Sequence, residues 1–134
     1  MPNRSANLQR WMNFIEKHDE ALLADMLAED VVFHSPVVHT PQRGKKITFL
    51  YLASAEKVLG GENFAYVREL DCGDQAMIEF VSEIDGIHIN GVDIITWNNE
   101  GKIIDFKVMV RPLQAVNAIH AAMGRKLEQM KPKP

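Results

Sequence analysis

The hydrophobic period of this chain changes at Gly60-Gly61, and this change constrains the fold more than any other feature of the sequence. Before it, apolar residues recur at the three- and four-residue spacing of amphipathic helices. After it, apolar and polar residues alternate, as in Ala76, Ile78 and Phe80, which is typical of half-buried strands. The pair Asp85-Gly86 adds a hairpin signal, because both positions tolerate positive φ. The second half of the chain is therefore predicted to form an antiparallel sheet.

Three helices are predicted before the change of period. Ser5 or Asn7 caps the first helix. Asp19 caps a short second helix, and Glu29-Asp30 ends it. A short strand over residues 31–33 follows, and a glycine then introduces the third helix.

Four long strands and a last helix are predicted after it. The first strand presents one face, formed by Phe64, Tyr66, Arg68 and Leu70. The strand Ile87–Trp97 contains Gly91, which favours a bulge or a bend. Pro112 begins the last helix, and its apolar stripe is formed by Leu113, Val116, His120, Met123 and Leu127. The predicted class is α+β, a curved and mainly antiparallel sheet with helices on one face.

The chain has the size of one compact domain. Its 134 residues fall in the range of roughly 100–150 that is most frequent for single domains. No repeat, linker or low-complexity segment divides it. We therefore predict one domain over residues 1–134, with a core at 7–125 and a flexible tail at 126–134.

Charge and cysteine content exclude several functional classes. A net charge of −3, with acidic and basic residues mixed, argues against a nucleic-acid partner, which requires a basic face. Cys72 is the single cysteine, so the chain has no intramolecular disulfide and no thiol pair for zinc. No signal peptide and no apolar run of about 18 residues is present, which predicts a cytoplasmic protein without a membrane partner.

The segment GVDIITWNNEGKIIDFKV, residues 91–108, resembles the strand-turn-strand signature of the SnoaL-like group in the nuclear-transport-factor-two-like superfamily. Upstream, residues 28–33 before a Ser-Pro pair fit the same pattern, and the resemblance covers residues 7–125. It implies a cone-shaped half-barrel around an apolar pocket, commonly a homodimer through the outer face of the sheet. Members include ketosteroid isomerase, polyketide cyclases, scytalone dehydratase, limonene epoxide hydrolase and non-catalytic binding domains. The reaction must therefore be argued from the pocket.

Asp93 is the first catalytic candidate. It shares strand parity with Ile89, Gly91 and Ile95, which places a carboxylate on an apolar face. If that face lines a pocket, desolvation raises the pKa of the carboxyl group and suits it to general acid or base chemistry. The alternative is a structural hydrogen bond or ion pair.

His34 is the second catalytic candidate. Ketosteroid isomerase carries a general-base carboxylate at the matching strand end, directly before the proline, and that position is Ser35 here. A histidine beside it can replace the base, and the alternative is a histidine bonded to a carbonyl at the rim. His39 lies beyond a proline in a loop, and its spacing from His34 does not suit metal ligands, so no metal site is predicted.

Two other family patterns are incomplete in this chain. The position of the catalytic aspartate of SnoaL-type cyclases is occupied by Val110. Arg111 is predicted to pair with a carboxylate across the sheet or to orient an anionic ligand. Limonene epoxide hydrolase uses an Asp-Arg-Asp arrangement, and Asp93 is the single residue of this chain that matches it in chemical type.

Aromatic residues are expected to line the pocket, although each can also serve as ordinary core. They are Trp11, Phe14, Tyr51, Phe80, Trp97 and Phe106. We predict a cofactor-independent isomerase, dehydratase, cyclase or hydrolase that acts on an apolar, oxygenated, polyketide- or steroid-like ligand through Asp93 and His34. The alternatives are a non-catalytic ligand-binding or protein-interaction module of the same fold, and a pocket partly filled by a protein segment.

Overall fold

A computed structural model describes residues 3–130, which form four helices and an open six-stranded sheet. The helices are α1 (Ala6–Lys17), α2 (Glu20–Met26), α3 (Lys45–Leu59) and α4 (Leu113–Met130). The strands are β1 (Leu27–His34), β2 (Gln42–Arg43), β3 (Ala65–Asp71), β4 (Gln75–Ile84), β5 (Ile87–Trp97) and β6 (Ile103–Arg111). The predicted α+β class is confirmed.

The sheet has the order β2-β1-β6-β5-β4-β3 and is mainly antiparallel, since only β1 and β6 pair in parallel. The face covered by the helices, here called the inner face, carries the buried residues of the alternating strands. In β4 these are Ala76, Ile78, Phe80 and Ser82. Asp85 and Gly86 both have positive φ in the predicted hairpin turn, at 50° and 81°. Register shifts leave extra residues in β1, β3 and β6, and such bulges bend a sheet locally.

The first strand is longer than the sequence pattern predicts. Ser5 and Asp19 cap α1 and α2 as expected, but α2 ends at Met26. Leu27 is already extended and pairs with Ile103, so the strand begins before the exposed Glu29-Asp30 pair instead of after it. Two exposed charges inside a bulged strand mimic a loop in the sequence.

Gly91 does not produce a bulge, because the pairing of β5 continues through it on both sides. Its register partners are Phe80 and Val110. A Cβ atom at this position would lie 2.4 Å from the Phe80 ring and 2.8 Å from the carbonyl oxygen of Met109. The glycine therefore admits a close approach of the Phe80 ring to the β5 backbone.

A bulge that the sequence pattern does not predict lies in β3, between Tyr66 and Arg68. Tyr66 pairs with Phe80 on the inner face, whereas Arg68 pairs with Glu79 on the outer face. One extra residue reverses the alternation, so the predicted common face of these side chains is wrong beyond Tyr66. Exposed Val67 is the residue that the bulge inserts.

The last helix differs from its prediction in orientation. Its buried residues are Ala115 and Ile119, whereas Leu113 is 73% exposed and His120 is exposed. The stripe that contains Ala115 and Ile119 is adjacent to the predicted stripe on the helix surface. It is buried because it packs against α3 and β5. The helix also continues through residues 126–130, which the sequence assigned to a tail, and residues 131–134 of that tail lie outside the described residues.

Candidate functional site

A cavity of about 400 Å³ lies between the inner face of the sheet and helices α1, α3 and α4. Its wall is mostly apolar, and the predicted ligand-binding residues that line it are Trp11, Phe14, Tyr51, Phe80 and Phe106. Phe33, Phe64 and Tyr66 add further aromatic surface. The volume falls within the range of small-molecule sites, which is about 300–1,000 Å³.

Trp97 does not line this cavity. It lies on the inner face, at the end of β5, where it pairs in register with Ile103, and both side chains are buried in the main hydrophobic core. Strand parity predicted the correct face, but it carries no information on depth along the strand. The indole Nε1 of Trp97 has no hydrogen-bond partner among the described residues.

Asp93 lies in the wall of the cavity, as predicted from its strand parity. Its register partners are the inner-face residues Ile78 and Val108, and the side chain is only 7% exposed. The hydroxyl of Tyr66 donates a hydrogen bond of 2.7 Å to Asp93 Oδ2. The Asp93 carboxyl group is thus held at a defined orientation in an apolar part of the wall.

The direction of this hydrogen-bond chain is set by the indole of Trp11. Trp11 Nε1 donates to the Tyr66 oxygen over 3.0 Å, and an indole N–H can only donate. The Tyr66 oxygen accepts this bond and directs its own proton to Asp93 Oδ2. Asp93 Oδ2 is therefore an acceptor, and a proton on the carboxyl group belongs on Oδ1.

Burial shifts the titration of both polar groups. Desolvation raises the pKa of Asp93 to about 7, against the opposing effect of the Tyr66 hydrogen bond. Desolvation, followed by the nearby Asp93 charge, raises the pKa of Tyr66 well above its usual value. Asp93 can therefore donate or accept a proton near neutral pH, whereas Tyr66 remains a donor.

The second catalytic candidate, His34, does not line the cavity that contains Asp93. It follows the inward-facing Phe33 in β1, which continues as a strand through His34. Alternation turns the imidazole to the outer face, where Nε2 lies 2.9 Å from Asp105 Oδ1. The cavity is lined at this strand end by Ser35, whose Oγ accepts a bond from the Val37 backbone N–H at 3.1 Å.

Sequence reasoning missed Glu56 and His18, which both line the cavity. The Glu56 carboxylate contacts His18 Nδ1, and the two side chains are 14% and 57% exposed. His18 caps α1 with a left-handed backbone, at φ 55°. A signal was present, because Glu56 interrupts an apolar helix stripe formed by Leu52 and Leu59 at helical spacing.

Two other sequence expectations concern metals and membranes. Among residues 3–130, no three His, Cys, Asp or Glu side chains lie together as a metal site requires, and His39 is exposed in its loop. None of the described helices is long and apolar enough to cross a membrane. The cytoplasmic location stays a prediction.

Comparison with known proteins identifies the family. Residues 8–106 match the family model described as a SnoaL-like domain. A steroid delta-isomerase from Pseudomonas aeruginosa is 33% identical, with a TM-score of 0.87 and coverage of 96% of this chain and 97% of that one. An uncharacterised protein with a cystatin-like fold from Silicibacter pomeroyi is 30% identical, with a TM-score of 0.85 and coverage of 93% and 87%.

A de novo designed protein with a curved β-sheet shares the fold alone, at 12% identity and a TM-score of 0.69, with coverage of 92% of this chain and 96% of that one. A search of curated proteins found no significant match. Similarity to the two natural structures thus extends over nearly the whole chain. The designed protein has the same fold without a natural function, so the fold alone does not determine a function.

Proposed function

Because the chain belongs to the SnoaL-like domain family, we propose that it is an isomerase that moves a double bond in an apolar cyclic ketone. The observation that supports this proposal is the carboxyl group of Asp93, which has a pKa of about 7 and is hydrogen-bonded by Tyr66 in the wall of an aromatic cavity. The similar steroid delta-isomerase from Pseudomonas aeruginosa supports the choice of reaction and of a steroid-like substrate.

Asp93 acts in this proposal as a hydrogen-bond donor to the ketone oxygen. Below its pKa of about 7 the group is neutral, and Oδ1 carries the proton because Oδ2 accepts from Tyr66. When a proton leaves the carbon next to the ketone, negative charge develops on the ketone oxygen. A preorganised donor in a site of low dielectric stabilises that charge strongly. The reaction relocates a proton within the substrate and therefore requires no redox cofactor.

A non-catalytic ligand-binding module of the same fold is the second candidate. The observation that favours it is Ser35, which occupies the strand end next to Pro36 and lines the cavity without a carboxylate. Val110, half-buried on β6, likewise offers no acid. Cyclisation has less support than isomerisation, because Val110 stands where SnoaL-type cyclases carry their catalytic aspartate. Hydrolysis has less support because only Asp93 has a counterpart in the Asp-Arg-Asp arrangement.

The test uses 5-androstene-3,17-dione as substrate and 2-naphthol, a phenol whose oxygen resembles an enol, as a binding probe. We expect the wild-type protein to form the conjugated enone, with activity that falls as the pH rises above 7. Asp93→Ala should lose about 10²–10³ in kcat. Asp93→Asn retains a neutral donor and should keep more activity than Asp93→Ala, without the decline above pH 7.

Three outcomes separate the candidates. Binding of 2-naphthol without turnover supports the binding module. Complete loss in Asp93→Asn, equal to that in Asp93→Ala, shows that the carboxylate acts as a base and contradicts the donor role. Neither binding nor turnover in the wild-type protein contradicts both candidates for this class of ligand. Asp30→Asn, on the exposed part of β1, is the matched control for loss of one surface charge.

We further propose a homodimer formed through the outer face of the sheet. This face carries four large apolar side chains that are each 42–55% exposed: Val67, Leu70, Met77 and Met109. Leu70, Met77 and Met109 line a shallow groove of about 370 Å³ on this face. Contiguous exposed apolar surface of this kind is characteristic of protein–protein interfaces.

A network of polar side chains also lies on this outer face. Arg68 pairs with Glu79 at 3.3 Å, and Asn90 donates to Glu79 over 3.0 Å. Arg111 donates to the Asn90 side-chain oxygen over 3.2 Å, so it reaches an amide rather than the carboxylate that the sequence predicts. A network with both charges suits a two-fold interface, in which each patch meets its own copy.

Sedimentation velocity tests the dimer. Met109→Glu places a charge in the lining of this groove and should convert a dimer to a monomer. Leu113→Glu, which adds the same charge at an exposed apolar position of α4, should leave the dimer intact. A wild-type monomer, or equal effects of both variants, contradicts the proposed interface.

A further inference from the structure

We infer that Glu56 is the proton-transferring base of this site and that His18 positions it. The inference rests on the proposed isomerase function and supplies what that function lacks, a base to remove the substrate proton. Neither residue was predicted to be functional from the sequence. The geometry points to them because they bring a carboxylate and its partner to the wall of the cavity that contains Asp93.

Glu56 and Asp93 reach the cavity from different layers of the fold. Asp93 projects from β5, in the sheet. Glu56 lies near the end of α3, and this helix packs over β1 and β4. The Ser82 hydroxyl on β4 donates to the Leu59 carbonyl over 2.7 Å and so holds the end of α3 to the sheet. A ligand between helix and sheet therefore has one carboxyl group on each side, a donor for its oxygen and a base for its carbon.

The remaining titratable residues on the cavity wall are poorer candidates. Three of them are exposed to solvent: Glu16 on α1, His18 at the end of α1, and His120 on α4. The tyrosine hydroxyls of the cavity are donors at neutral pH. Glu56 is only 14% exposed, so it is the carboxylate, apart from Asp93, that a bound apolar ligand would shield from water. A base in a shielded site transfers protons without competition from solvent.

The local fold holds the Glu56 side chain in place. Its backbone carbonyl accepts the Gly60 N–H at 2.8 Å at the end of α3. Its carboxylate contacts the His18 ring, and the His18 backbone is fixed by the hydrogen bond that its N–H donates to the Phe14 carbonyl over 2.8 Å. A positioned base needs a partner of this kind, since the approach to the reacting carbon determines the rate.

The proposed step balances without a further reactant. The Glu56 carboxylate removes a proton from the carbon between the ketone and the isolated double bond. The C–H electron pair forms the double bond of a dienolate, whose oxygen is stabilised by the Asp93 hydrogen bond. Glu56 then returns the same proton to the far end of the original double bond. The product is a conjugated ketone, and both carboxyl groups regain their starting states.

The experiment compares Glu56→Gln with Glu62→Gln, an exposed glutamate outside the cavity lining. With 5-androstene-3,17-dione, Glu56→Gln should lower kcat by about 10²–10⁴, the range for loss of a general base. Its Kd for 2-naphthol should stay within a few-fold of the wild-type value. Glu62→Gln should change neither quantity.

His18 is tested as a positioning residue. His18→Gly keeps the left-handed backbone but removes the ring, and His18→Asn keeps this backbone and restores a donor. We expect His18→Gly to lower kcat about tenfold with little change in KM, and His18→Asn to recover part of the loss. Equal activity of the two variants contradicts the positioning role.

The outcomes distinguish this inference from the proposed function. If the wild-type protein turns over substrate and Glu56→Gln stays within a few-fold of it, the isomerase stands and Glu56 is not its base. If the loss follows His120→Gln instead, the base lies on α4 and the inference is wrong. If the wild-type protein shows no turnover at all, the proposed function has failed, and Glu56 has failed with it as a base.

Discussion

The stability of Asp93→Asn should rise relative to the wild-type protein as the pH increases. Asp93 has a folded-state pKa of about 7, above its ordinary value of 3.8, because the side chain is buried in an apolar cavity. Between these pH values the folded chain binds the proton more tightly than the unfolded chain. The free energy of unfolding of the wild-type protein therefore falls as the pH rises through this window.

The magnitude follows from the difference between the two pKa values. A shift of one unit corresponds to 1.36 kcal/mol, so the full loss from below pH 3.8 to above pH 7 is about 4 kcal/mol. About 2–3 kcal/mol of it falls between about pH 5 and pH 8. Asparagine is neutral throughout, and its amide oxygen can still accept the Tyr66 hydroxyl.

Urea unfolding at fixed protein concentration measures this difference. The transition is followed by tryptophan fluorescence at several pH values between 5 and 8, and the variant-minus-wild-type difference removes the contributions of all other groups. Asp30→Asn reports how far the loss of one surface charge shifts the curve. A difference that stays flat with pH, or that turns against Asp93→Asn at high pH, would refute the assignment of Asp93 as a desolvated carboxyl group.

Further predictions concern packing and hydrogen bonding, each measured by the urea midpoint at pH 6. Gly91→Ala should destabilise the protein by about 1–3 kcal/mol, because the added methyl group meets the Phe80 ring; an unchanged midpoint would contradict that contact. Trp11→Phe and Trp97→Phe form a matched pair. The first removes a donor to Tyr66 and should cost about 1 kcal/mol more than the second, whose indole N–H has no partner. Equal losses would contradict the buried hydrogen-bond chain.

Local patterns predicted much of this fold because each depends on neighbours in sequence. The β4–β5 hairpin, its turn at Asp85-Gly86 and the inner-face position of Asp93 follow from strict alternation over two long strands. Caps at Ser5 and Asp19 are equally local. The bulge in β3 was not predicted, because one inserted residue changes the pairing without changing the composition.

For the candidate site, the sequence by itself determined which face Asp93 occupies and that the strand end at Ser35 lacks a carboxylate. Only the tertiary structure decided which groups meet there. His34 turns outward to Asp105 because β1 continues through it, and Glu56 reaches the cavity because α3 packs over the sheet. Alternation and helical period give a side chain its face, but its partners come from other segments, and no local pattern encodes the contacts between them.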